Sequence, residues 1–144
     1  MVPFLSMPDR SAKWLVSALA AAHLAVTLWH SGAHTELAIG LPPLKLAYAY
    51  AVIVIAPPLA AVLVWTRFSA FGLWLFTLAM VGSLVFAAYH HYVLVSPDNI
   101  AHLPDGSAEA QARFVSSAGW SAVLELAGSL CGAWALGRAS RVAA

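Results

Sequence analysis

Residues 68–95 read FSAFGLWLFTLAMVGSLVFAAYHHYVLV, twenty-eight positions without one Asp, Glu, Lys or Arg. A helix of that length rises roughly 40 Å at about 1.5 Å per residue, more than a bilayer's hydrocarbon needs. A soluble domain of 144 residues has no interior large enough to hide such a run. The stretch is therefore read as a transmembrane helix, and the rest of the chain follows its pattern.

Working outward, three further segments qualify as spans, at about 13–30, 44–66 and 110–137. Their joints are polar or rich in helix breakers: Ser31-Gly32, Pro42-Pro43, Thr66-Arg67, and the long connection from Ser96-Pro97 to Pro104-Asp105-Gly106. Ser96-Pro97 has the form of an N-cap with proline at the first helical position, so a short surface helix over about 97–102 is expected. Pro57-Pro58 falls inside the second span and should disturb it, because proline lacks an N–H and collides with the preceding turn. The expected fold class is all-α: an integral membrane four-helix bundle, up-down-up-down, forming a single domain over 1–144.

Composition agrees. Hydrophobic residues make up 62% and charged residues 9% of the chain, against about 45–50% and roughly 25% in soluble proteins. A net charge of +1 with no basic stripe argues against a nucleic-acid partner. The single cysteine, Cys131, permits no internal disulfide. Arg10 and Lys13 before Trp14–Ala22 resemble the start of a signal peptide, but the apolar run continues to about Trp29 and reads as a retained spanning helix.

Basic residues set an expected orientation. Arg10, Lys13, Arg67, Arg138 and Arg141 share one side, and Lys45 and Arg113 the other. By the positive-inside rule both termini are cytoplasmic, and loops one and three are extracytoplasmic. Trp14, Trp29, Trp65 and Trp134 lie near span ends, where interfacial aromatics belong. The expected location is a cell membrane, with the lipid bilayer as first partner and other membrane subunits or further copies as candidate neighbours.

Chemistry-bearing residues gather on the outer side. His30, His34, His90, His91 and His102 all fall there, with Glu36, Asp98, Asp105 and Glu109. Imidazole suits copper, zinc and iron, and carboxylates complete such shells. His30 and His34 share a helical face if the first helix runs past Gly32. Asp98 and His102 repeat that spacing within the expected surface helix. His90 and His91 point about 100° apart, so one of them faces any given centre. The candidate metal ligands are His30, His34, His91, His102 and Asp98, with His90 in reserve; the cofactor would be a transition metal or haem. Histidines at a membrane surface also serve as amphipathic residues or pH sensors.

Two residues lie deeper. Glu125 sits mid-way along the fourth span, where an ionisable group costs about 2.5–3.5 kcal/mol on insertion scales unless paired or facing a cavity. His23 lies ten residues past Lys13, and Glu125 twelve before Gly137. At about 1.5 Å per residue their depths differ by a few ångströms, so a His23–Glu125 pair is expected, with a cofactor or ligand contact as its candidate role. Ser117, Ser121, Glu125, Gly128 and Gly132 form a small, polar stripe that suits close helix packing. His23, Thr27 and His30 make a polar strip from that pair toward the outer histidines.

Three function classes remain open on sequence alone. They are a metal- or haem-binding membrane protein, an accessory subunit of a larger membrane complex, and a small carrier or channel using Glu125 and His23. No phosphate-binding loop, Cys/His zinc pattern or nucleophile elbow is present.

Overall fold

The computed structural model describes residues 8–142 and is all-helical. Four helices are long and apolar enough to cross a membrane: α1 (Arg10–Glu36), α2 (Pro43–Leu63), α3 (Ser69–Val93) and α4 (Ala108–Val142). They form a closed ring in which α1 packs on α2 and α4, and α3 on α2 and α4. End-to-end contacts make neighbours antiparallel. Trp65, just past α2, donates to Ser17 Oγ near the start of α1 (3.0 Å) and packs edge-on against Trp14. Arg138 on α4 meets Asp9 at the start of α1 (3.2 Å). At the far end Arg113 on α4 meets Glu36 at the close of α1 (2.6 Å).

Local chemistry explains the boundaries. Asp9 caps α1, its Oδ1 accepting the Ala12 N–H at 2.7 Å. The helix passes through Gly32 and ends six residues later than the sequence suggests, because Ala33 and Leu37 bury against Ala110 and Phe114 of α4. Its last turn closes with Ala38 at φ 52° and the Ile39 N–H donating to the His34 carbonyl (2.9 Å). The disturbance expected at Pro57-Pro58 takes the form of a π-helical stretch, Ala49–Ile55, immediately before the prolines. A second π turn, Tyr89–Val93, ends α3 and carries His90 and His91. Ser107 caps α4 by accepting the Ala110 N–H (3.1 Å).

The expected surface helix over 97–102 does not form; that segment is a run of turns. Asn99 gives the backbone another set of partners. Its side chain donates to the Leu94 carbonyl (3.0 Å) and accepts the Ala101 N–H (2.9 Å), the local bonding that competes with helix.

The core has two parts. Val16, Leu73, Phe76 and Met80 fill the end near the termini, and Ala33, Leu37, Ile39 and Phe114 the other. The small stripe of α4 faces inward: a Cβ on Gly128 would collide with Met80, and one on Gly132 with Thr77. Leu28, Leu78, Val85 and Leu130 stand exposed on the outside, so the bundle presents an apolar surface.

Candidate metal centre

Beside the core cluster that holds Phe114, two helices and the turns after α3 converge on one point. His30 and His34 project from consecutive turns of α1, His91 from the π turn of α3, and Asp98 from the turns that follow. His30, His91 and Asp98 each offer a ligand atom, and these lie within 4.8 Å of one another. His34 Nε2 stands 3.1 Å from His30 Nε2 and 3.2 Å from Asp98 Oδ1. Phe114 forms a shared wall, with ring centroids 4.7, 5.1 and 5.4 Å from those of His30, His34 and His91.

Neighbouring groups fix which ring nitrogen carries the proton. Ser117 Oγ directs its hydroxyl to the Arg113 carbonyl at 2.7 Å, so toward His30 Nδ1, 2.8 Å away, it acts as acceptor. His30 Nδ1 therefore donates. His34 Nδ1 faces the Ile39 carbonyl (3.3 Å) and His91 Nδ1 the Asp98 carbonyl (2.9 Å), and a carbonyl can only accept. A neutral imidazole protonated at Nδ1 carries its lone pair on Nε2, and a further proton or a metal ion binds there. Two such nitrogens, on His30 and His34, stand 3.1 Å apart beside a carboxylate oxygen. That is a repulsive arrangement unless a cation stands among them.

Asp98 is 5% exposed, and its buried Oδ1 has no hydrogen-bond partner. It lies 3.2 Å from His34 Nε2 and 3.3 Å from His91 Nδ1, close but out of line for a hydrogen bond. Burial pushes this carboxyl up, but the adjacent His34 and His91 outweigh burial and hold it well below the usual carboxylate range. The centre therefore contains an ionised oxygen.

Not every expected ligand arrives. His102 is exposed on the turns, outside the group. Its expected helical pairing with Asp98 fails because the segment is not helical and Asp98 turns toward His34 and His91. His90 is buried elsewhere, stacked on Phe86 (4.1 Å) with Nδ1 donating to the Phe86 carbonyl (2.9 Å). Glu36 and Glu109 are engaged with Arg113. The groups that orient the imidazoles, Ser117 and the Ile39 and Asp98 carbonyls, were not among the expected site residues. Ser117 had a signal in the polar stripe of α4; the carbonyls had none.

The deep pair is present. His23 Nε2 and Glu125 Oε1 are 3.3 Å apart, with the residues 0% and 1% exposed. His23 Nδ1 and Glu125 Oε2 are buried without hydrogen-bond partners. A cavity of about 430 Å³ joins the two sites: His30, His34, His91 and Asp98 line one end, and Thr27, Ser121 and Glu125 continue the wall inward.

No protein-family model, curated protein or solved structure matches this chain. A functional reading therefore rests on the site's own chemistry.

Proposed function

We propose that this chain is a multi-pass membrane protein that binds one divalent first-row transition metal ion, with the imidazoles of His30, His34 and His91 and the carboxylate of Asp98 as ligands. The observation that carries the reading is the approach of His30 and His34 Nε2 to 3.1 Å beside Asp98 Oδ1, a set of donor atoms that a shared cation holds together. Ligands about 2.0–2.1 Å from zinc stand roughly 3.3 Å from one another at tetrahedral angles. The separations of 3.1 and 3.2 Å about His34 Nε2 match that edge. Each imidazole also gives its Nδ1–H to an oxygen, as metal-ligating histidines do.

The donor set of three imidazoles and one carboxylate suits zinc, copper or iron. A bare ion fits better than haem, whose plane would have to pass between donors only 3.1–3.2 Å apart. The cavity beside the ligands leaves the ion approachable, as in exchange or catalytic sites rather than closed structural ones. The bias of basic residues toward the side of the termini and the second loop supports an extracytoplasmic position for the centre. The accessory-subunit reading loses its main support, since the small-residue stripe of α4 packs on Met80 and Thr77 of the same chain.

The test is elemental analysis of detergent-purified protein prepared without chelator, beside His34→Ala and Asp98→Ala variants. About one metal ion per chain in the native protein, lost in both variants, is the expected result. A metal-free native protein that also fails to take up added zinc or copper overturns the reading, and makes the cation among the imidazoles a proton.

A further inference from the structure

The cavity extends well past the proposed ion. Its wall carries two carboxylates, Asp98 and Glu125, and no Lys or Arg. At the inner end Glu125 commits one oxygen to His23, while Oε2 stays buried with no partner. A buried carboxylate oxygen left so is costly, and a donor brought by a ligand removes the cost. The other walls are apolar and aromatic: Leu46, Tyr50, Ile53 and Val54 from α2, and Phe86 from α3. The volume of about 430 Å³ falls in the range of small-molecule sites, roughly 300–1,000 Å³.

Access comes from α2. Its second half, Ala56–Leu63, packs firmly against α1, but the π-helical Ala49–Ile55 barely touches α1 and buries none of its residues. This loosely packed stretch lines the cavity through Ala49, Tyr50, Ile53 and Val54, and Tyr50 is exposed on the apolar flank of the bundle.

We propose that this cavity binds a small lipophilic amine in its protonated form. The ammonium N–H donates to Glu125 Oε2, and the apolar body lies against Tyr50, Ile53 and Val54. At the inner end an anion would face the Glu125 carboxylate, with no Lys or Arg in the wall to offset it. A neutral alcohol can also donate to Oε2 but brings no positive charge, so it forgoes the ion-pair attraction of the ammonium for the carboxylate. The proposal stands on Glu125 and does not depend on the metal.

The test is calorimetric titration of the full-length detergent-purified protein with N,N-dimethyl-4-phenylbutylamine, compared with 4-phenylbutanol and 4-phenylbutyrate. A tertiary amine coordinates metals poorly, which separates the two sites. Saturable amine binding roughly tenfold or more tighter than the alcohol is expected, with the carboxylate weakest. Glu125→Gln should abolish most of that preference, and Ile53→Trp, which fills part of the cavity from α2, should weaken both amine and alcohol. His102→Ala, at an exposed position outside the cavity lining, should leave amine binding unchanged. Equal affinity for amine and alcohol, an intact preference in Glu125→Gln, or unaltered binding in Ile53→Trp overturns the proposal. If Glu125→Gln fails to fold, the Ile53→Trp comparison decides.

Discussion

His30 and His34 stand one turn apart on α1 with their Nε2 atoms 3.1 Å from each other, and Ser117 on α4 fixes the proton of the first. That hydroxyl touches no ion, yet it decides which nitrogen His30 presents. Ser117→Ala should therefore lower metal affinity by roughly 10–100-fold, the usual cost of losing an orienting partner, while barely changing the melting temperature. Competition with a chelating dye measures it. Unchanged affinity would mean that another group holds the ring.

Acid should release the metal through the imidazoles rather than through Asp98. The Asp98 carboxyl titrates below the ordinary carboxylate range, so its contribution is complete above about pH 4 and disappears only as pH falls through its lowered value. Histidines with a reference pKa of about 6.5 compete with metal well above that. Metal release followed by dye should have its midpoint between about pH 5 and 7, and Asp98→Asn should lower affinity without adding or removing a step near pH 4. A step near pH 4 in the native protein, absent in Asp98→Asn, would show Asp98 titrating as an ordinary carboxylate.

The His23–Glu125 pair should behave as a unit. Removing one partner of a buried pair costs about 3–5 kcal/mol, because the other is left unpaired. His23→Ala and Glu125→Gln should each lower stability clearly in detergent melts, and the double variant should lose much less than the sum. Simple additivity would refute the pairing.

Ala38 has a left-handed backbone, φ 52°, in the turn that also aims the Ile39 carbonyl at His34. A side chain there is strained by about 1–2 kcal/mol, and glycine relieves that at some entropic cost. Ala38→Gly should raise stability by roughly 0.5–1 kcal/mol and leave metal binding intact. A loss of stability would show the turn to be unstrained.

Glycines on α4 should separate by what they touch. Gly128→Val and Gly132→Val drive a side chain into Met80 and Thr77, and overpacking of this kind costs about 1–3 kcal/mol. Gly119 has open space around its missing side chain, so Gly119→Ala should be neutral or stabilising by up to about 1 kcal/mol. Equal effects at all three positions would argue against the α3–α4 packing described.

Much of this molecule was legible because apolar length and helical rise are local quantities. The uncharged run 68–95 predicts a helix, and α3 occupies Ser69–Val93. The depth of His23 and Glu125 follows from counting residues, and the two do meet. Boundaries were less legible. Whether α1 passes Gly32 depends on Ala33 and Leu37 finding Phe114, some eighty residues away.

The sequence by itself determined four apolar helices, one end rich in histidine and a carboxylate that needs an inward partner, because these follow from residue type and a fixed rise per residue. Only the tertiary structure decided that His91 rather than His90 faces the centre, and that Asp98 joins it while His102 does not. It also decided that Ser117 and two backbone carbonyls hold the ring protons away from it. Those outcomes depend on a π turn that rotates the end of α3, on Asn99 breaking the next segment into turns, and on which helix lies beside which. Spacing along one chain does not encode such relations between distant segments; packing does.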